Sequence, residues 1–242
     1  MCGVAGIYSN SEVSAGLMAR AVEHMTHAMH RRGPDDSGVF ASDSGSVVLG
    51  HTRLSIIDPS AAGHQPMSNE TGHIWTTYNG EIYNFPELRR ELQEGGHLFR
   101  SGTDTEVLVH GYEQWGIEGL VTRLRGMFSF AVYDSRGTPP SRGRLAVARD
   151  RLGQKPLYYN YSDGVFIFAS EIGAVVASGM VDPEIDALAV GSYLRFGHIP
   201  PPETIYRGIS ALRPGHYLVV DQSGLADHRY YDLSNAYSDK PL

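Results

Sequence analysis

A cysteine stands at position 2, directly behind the starting methionine, in the opening stretch MCGVAGIYSN, and it is the only cysteine in the chain. Methionine ahead of a small side chain is normally removed after synthesis. Removal would leave Cys2 with a free α-amine beside its own thiol. The reference pKa values are about 7.7–8.0 for the amine and about 8.5 for the thiol. The amine can therefore take the thiol proton near neutral pH without help from a histidine, a known way to activate a nucleophile. The same residue also reads as a small apolar side chain buried in a first strand. From Cys2 alone both readings stay open.

A cysteine nucleophile that attacks an amide needs donors for the developing oxyanion. Asn79 and Gly80 are suited to this, one with a side-chain amide and the other with a backbone N–H that no Cβ obstructs. Arg53 has the fork geometry that clamps a carboxylate. Glu81 and Asp104 can hold an ammonium. Spacing alone does not bring these residues together. Other constellations carry less. His24, His27 and His30 recur every third residue and would spread over the polar side of a helix, which reads as a solvated face. The sequence has no HExxH, no cysteine pair, no Walker loop and no dinucleotide-binding glycine fingerprint, so no metal ligand is expected. Asp35, Asp36 and Asp150 read as turn residues, and Arg31 and Arg32 as loop charges.

The elements that must position these groups follow from the pattern of the 242 residues. Hydrophobic residues make up 41% and charged residues 19%, a globular balance, and the net charge of −7 disfavours nucleic acid or an anionic membrane as a partner. A lone thiol with no basic, apolar leader is the pattern of a cytoplasmic protein. Val4–Tyr8 predicts a buried strand. Leu17, Met18, Ala21, Val22 and Met25 fall at helical spacing behind Ser14 as N-cap. GSVVLGHTRLSIID reads as strand material turning at Asp58–Pro59. HIWTTYNGEIYN reads as two short strands meeting in a hairpin at Asn79–Gly80. Pro86 opens a short helix closed by Gly95–Gly96, and TEVLVHGYEQWG is a second helix. GMFSFAVYD, RLAVARD, PLYYNY and VFIFAS are strands, the last two joined at Ser162–Asp163–Gly164. SEIGAVVAS and IDALAVGSYL are helical, and HYLVVDQSGLADHRYYD is a closing hairpin. Many antiparallel strands with helices grouped between them predict an α+β layered domain. One domain spans 2–242, with a closing hairpin and tail from about 215 onward. SNAYSDKPL reads as a frayed tail or the start of a linker.

Ten stretches, in order along nearly the whole chain, resemble the class II glutamine amidotransferases, in particular the N-terminal glutaminase domain of glutamine-hydrolysing asparagine synthetases. They are MCGVAGIY, RRGPDDSG, GHTRLSIID, HQPM, YNGEIYNF, SGTDTEV, GMFSFAVYD, DRLGQKPLYY, FASEIGA and FGHIPPPETIYRGISALRPGHYL. The resemblance implies an N-terminal-nucleophile hydrolase fold, a four-layer αββα sandwich of two antiparallel sheets with helices outside. It implies that Cys2 attacks the side-chain amide of L-glutamine, releasing ammonia and leaving a thioester that water hydrolyses to glutamate. Arg53 would bind the α-carboxylate, Asn79 and Gly80 would form the oxyanion hole, and Glu81 and Asp104 would contact the α-amino group. The glutaminase needs no cofactor of its own. ATP and Mg would belong to a synthetase domain or subunit that receives the ammonia, near PPPETIY and the last hairpin. A homodimer is a further candidate assembly. Aspartate is the default acceptor.

The chain departs from the family pattern in three places. His30-Arg31-Arg32 inverts the usual Arg-His-Arg, Gln154 replaces an aliphatic residue, and the SGGxDS loop of the synthetase half does not occur in these residues. Two other readings stand beside this one: a non-catalytic scaffold of the same fold, and a hydrolase of another amide.

Overall fold

The computed structural model describes residues 1–11, 13–137 and 142–234. In chain order the elements are β1 (Gly3–Ser9), α1 (Ala15–Ala28), β2 (Asp36–Ala41), β3 (Val47–Arg53), β4 (Met67–Ser68) and β5 (Ile74–Ile82). They continue with α2 (Phe85–Glu94), α3 (Glu106–Arg123), β6 (Gly126–Asp134), β7 (Arg144–Arg149), β8 (Tyr158–Ser162) and β9 (Val165–Ala169). The last are α4 (Ile172–Ala177), α5 (Ala187–Phe196), β10 (Ser210–Ala211), β11 (His216–Asp221) and β12 (Gly224–Arg229). The strands form two six-stranded sheets, ordered β10-β8-β9-β1-β3-β2 and β12-β11-β7-β6-β5-β4. All the strand pairings within them are antiparallel.

Residue alternation sorts the core into three layers. Between the sheets, Val4 and Tyr8 of β1 and Leu49 of β3 meet Ala131, Tyr133, Val147 and Leu218 of the facing sheet. The opposite face of the first sheet, with Ala5, Ile7, Val48 and Ile167, is covered by Met18, Val22 and Met25 of α1 and by α4. The outer face of the second sheet, with Ile74, Tyr78, Phe130 and Val132, is covered by Leu88 and Leu92 of α2 and by Val107, Leu108 and Tyr112 of α3. The result is the expected αββα sandwich. α1 begins as predicted, with the Ser14 side chain accepting from Leu17 N at 3.3 Å. The hairpin between β8 and β9 turns through Asp163 and Gly164, both at positive φ. Among the described residues no helix is long and apolar enough to cross a membrane. Most of SNAYSDKPL lies outside the described residues.

The expected hairpin at Asn79–Gly80 is not there. Ile74–Ile82 is one uninterrupted strand, paired along its whole length with β6, with Asn79 opposite Ser129 and Gly80 opposite Phe128. Neither residue has the positive φ that a tight two-residue turn demands. Glycine is required here for a different reason. A Cβ at Gly80 would lie 2.3 Å from Met127 O and 2.8 Å from Phe128 Cα. The dipeptide marks a close backbone approach inside a strand and not a turn.

Phe168 is fully buried between the sheets beside Phe166. Phe168→Ala is expected to cost about 3–5 kcal/mol. Val39→Ala, at a 43% exposed position, should change stability by less than about 0.5 kcal/mol. Urea denaturation midpoints with unchanged slope will measure both.

Candidate active site

Antiparallel pairing of β1 with β3 sets Gly3 opposite Thr52. The residue before β1 therefore lies beside the residues that end β3. The Cys2 Sγ accepts from Leu54 N at 3.4 Å and lies 3.7 Å from Leu54 O. By alternation Cys2 shares the inward side of β1 with Val4 and Tyr8, and Arg53 that of β3 with Val47 and Leu49. Met1 is 58% exposed, so its removal would uncover the Cys2 amine without disturbing the core.

Cys2, Arg53, Leu54, Gly80, Thr103 and Asp104 line one cleft, with Gln65 and Tyr78 on its wall. Of the expected set, Cys2, Arg53, Gly80 and Asp104 thus share one cleft. Asn79 and Glu81 flank Gly80 on β5 and are not among the lining residues; by alternation they belong to the face of β5 that Thr77 turns toward the first sheet, opposite to that of Tyr78 and Ile82. The Asn79 Nδ2 is buried and has no hydrogen-bond partner. Beyond the short β4, the edge of β5 opposite β6 is served by side chains: Tyr78 N donates to Gln65 Oε1 at 2.8 Å and Ile82 N to Asp104 Oδ2 at 2.9 Å. The Gly80 N–H, two residues from each, emerges on that same edge. Asn79 Nδ2 and the Gly80 N–H are thus donors on adjacent residues of β5.

Arg53 is buried, and its guanidinium is largely engaged by its own loop. It donates to the carbonyl oxygens of Ser60 at 3.1 Å, Ile57 at 3.4 Å and Asp58 at 2.5 Å. Three of the five guanidinium N–H groups are thus used, and two are left for an anion. The guanidinium lies so close to Gly63 that a Cβ there would overlap Arg53 Nη2. Asp58 ties this loop to the far wall by accepting from Gly102 N at 2.8 Å. Hydrogen bonds from Ser60 and Gly102 hold its carboxyl below the usual range.

Asp104 is buried, and its Oδ2 accepts from Tyr78 Oη at 2.6 Å as well as from Ile82 N. Burial pushes its pKa up, and the nearby Glu81 charge adds to the push against the lowering by these donors. Burial likewise raises Tyr78, reinforced by Asp104. A desolvated carboxylate beside a second carboxylate favours an incoming cation.

Several residues near the cleft were not singled out from the sequence. Arg32 is not a loop charge: its Nε donates to Cys2 O at 2.9 Å and its Nη1 meets Glu171 Oε1 at 3.1 Å. It fixes the backbone of the cysteine, and RRGPDD beside a candidate nucleophile was the available signal. Gln65 bridges Tyr78 N and Thr105 Oγ1. His51 Nδ1 meets Thr77 Oγ1 at 3.1 Å, and the Thr77 hydroxyl donates to Gly50 O. His51 must then be the donor to Thr77. Burial, with Arg53 nearby, lowers it to about 3, so it is neutral. His24, His27 and His30 are exposed. Asp150 organises a turn, accepting from the N–H groups of Leu152, Gln154 and Lys155.

Residues 1–231 match the model of a glutamine amidotransferase domain. The chain is 37% identical over 238 residues to asparagine synthetase [glutamine-hydrolyzing] 3 of Bacillus subtilis, covering 97% of this chain and 37% of that protein. It is 33% identical to a putative asparagine synthetase 2 of Methanocaldococcus jannaschii, covering all of this chain and 49% of the relative. The chain thus spans a third to a half of the length of these relatives. Among solved structures, the glutamine phosphoribosylpyrophosphate amidotransferase of B. subtilis superposes with a TM-score of 0.67 at 20% identity, over 95% of this chain and 49% of that one. That likeness bears on the fold.

The raised Asp104 pKa has a stability consequence. A folded-state pKa above the unfolded value means that the folded chain binds the proton more tightly. The contribution is then most favourable in acid and is lost as pH rises through the folded value. Asp104→Asn should therefore be at least as stable as the wild type at pH 7, and any advantage should shrink as pH falls into the carboxylate range. Paired thermal melts from pH 4 to pH 7 will show it. A variant markedly less stable at pH 7 would contradict the account.

Proposed function

The chain belongs to the glutamine amidotransferase domain family, and we propose that it is the glutamine-hydrolysing half of an asparagine synthetase-like amidotransferase, with Cys2 as nucleophile. The observation that carries the reading is Cys2 sharing one cleft with Arg53, Gly80 and Asp104, beside Asn79, whose buried Nδ2 has no hydrogen-bond partner.

Once Met1 is removed, the Cys2 α-amine takes the thiol proton and Sγ attacks the side-chain carbonyl carbon of glutamine. The carbonyl oxygen becomes an oxyanion, received by Asn79 and Gly80. The C–N bond breaks as the protonated α-amine returns a proton to the nitrogen, so ammonia leaves and a glutamyl thioester remains. Water, deprotonated by the same amine, attacks the thioester. Glutamate departs and the thiol is restored. The two free N–H groups of Arg53 receive the α-carboxylate, and Asp104 with Glu81 receives the α-ammonium. Arg32 holds the Cys2 carbonyl so that the amine and thiol keep one orientation.

Ammonia passes to an ATP-dependent synthetase domain or subunit, where it amidates a carboxylate, aspartate by default. The names and greater lengths of the relatives support this division of labour. So does α5, which leaves Leu188, Leu194 and Phe196 exposed, an apolar surface suited to a covering partner. ATP and Mg would be held by that partner, in keeping with the synthetase names of the longer relatives.

Purified protein incubated with glutamine should release glutamate, and Cys2→Ala should not. Asn79→Ala should lower kcat by about 10²–10³. An electrophilic glutamine analogue should add its mass to the N-terminal peptide, which should begin at Cys2. Equal glutamate release by wild type and Cys2→Ala, or a retained Met1 in active protein, would overturn the reading.

A further inference from the structure

Outside the cleft, Glu70, His97, His110 and Glu113 bring one donor atom each to within 4.8 Å of one another. They come from three segments. Glu70 lies in the turn between β4 and β5, and His97 follows the glycines that close α2. His110 and Glu113 sit one helical turn apart on α3. None of the four lines the cleft.

His110 is 1% exposed, and neither of its ring nitrogens makes a hydrogen bond. Buried polar groups left in that state are rare and call for a partner. Its Nδ1 stands 3.4 Å from Glu70 Oε2, and its Nε2 stands 3.6 Å from Glu106 Oε1. His97 repeats the arrangement. Its Nδ1 faces Glu113 Oε2 at 3.9 Å, and its Nε2 meets Gln114 Oε1 at 3.3 Å. Each imidazole thus directs Nδ1 at a carboxylate of the cluster and Nε2 at an oxygen outside it. An outer oxygen facing the second ring nitrogen selects the tautomer with Nδ1 free of a proton, as it does for metal-bound histidines.

The carboxylates are prepared in the same sense. Glu70 is oriented by Leu98 N, which donates to its Oε1 at 2.8 Å and leaves Oε2 toward His110. Glu113 is oriented by Asn69 Nδ2 at 2.8 Å, with Arg136 Nη1 at 3.7 Å. Two imidazole nitrogens and two carboxylate oxygens suit zinc in a closed tetrahedral site. Bonds of about 2.0–2.1 Å place tetrahedral donors about 3.3 Å apart, so the 3.4 Å pair already fits, the 3.9 Å pair closes slightly, and the widest separations, up to 4.8 Å, contract by about 1.5 Å around the ion. The two carboxylate charges balance the ion.

We propose that Glu70, His97, His110 and Glu113 form a structural binding site for a divalent transition-metal ion, zinc foremost. The ion ties the β4–β5 turn and the α2–α3 connection to α3. Glu106 extends the effect. Besides facing His110, it accepts from the N–H groups of Arg100 and Ser101 and from Ser101 Oγ, close before Asp104. The bound ion therefore steadies the loop that carries one wall of the cleft, without joining the amide chemistry.

Untagged protein is stripped with a chelator, reloaded with zinc chloride and passed through a desalting column before elemental analysis. The expected result is one zinc per chain in wild type and in Cys2→Ala, and none in His97→Ala, whose side chain lies at the edge of the cluster. Zinc should raise the melting temperature of wild type and leave that of His97→Ala unchanged. Cobalt(II) in place of zinc should show the intense visible bands of tetrahedral coordination without a thiolate charge-transfer band. Glu113→Gln provides a second ligand variant and should behave as His97→Ala does. Wild type that keeps no zinc, His97→Ala and Glu113→Gln that keep it fully, or loss of the metal in Cys2→Ala would each overturn the proposal.

Discussion

Antiparallel pairing between the first strand and β3 is the constraint from which the rest of the site follows. Because the two strands run in opposite directions, the residue that precedes β1 is set against the residues that end β3, with Gly3 opposite Thr52. Side chains alternate with a period of two. A slip of one residue would exchange the inward row that includes Cys2, Val4 and Tyr8 for the row of Ala5 and Ile7 that packs on α1. That slip is opposed by the buried apolar side chains on both faces of the first sheet. The core therefore acts as the register lock of the cysteine.

A second constraint is the satisfaction of buried polar groups. On most of β5 the requirement is met: Gln65 takes Tyr78 N, Asp104 takes Ile82 N, and Thr76 Oγ1 donates to Ala131 O. Asn79 Nδ2 is an exception within the same strand. A buried donor without a partner costs stability, and under the proposed function the same donor stabilises the negative charge of the oxyanion. Asp104 shows the complementary case, a carboxylate whose pKa is raised by burial and which, under the proposed function, receives a cation. The loop from Arg53 to Gly63 supplies a wall stitched by its own carbonyls.

Much of the fold was legible because its signals are local. Ser14 as a cap, Gly95–Gly96 as a helix end and Asp163–Gly164 as a turn each act within a few residues, and each appears where the pattern placed it. Asn79–Gly80 misled because the same dipeptide serves two physical needs. In a tight turn it supplies positive φ. Here glycine lets the Met127 carbonyl approach, a contact about fifty residues distant in sequence and invisible to local pattern. Arg32 was read as a loop charge for the same reason, since its partners are Cys2 O and Glu171. The histidine–glutamate cluster escaped notice because its ligands come from three separate segments and match no short motif.

The sequence by itself determined which residue types are available for chemistry. A lone cysteine behind the starting methionine, an Asn-Gly pair, an arginine and two carboxylates are intrinsic properties of residue type, and ten ordered stretches tied them to one family. It also determined the layers, since apolar periodicity is written residue by residue. Only the tertiary structure decided which of these groups share a cleft, which donors remain unspent and how much of Arg53 is free. Those outcomes depend on strand register and on which distant backbone satisfies which side chain, and both are settled only when the two sheets close on each other.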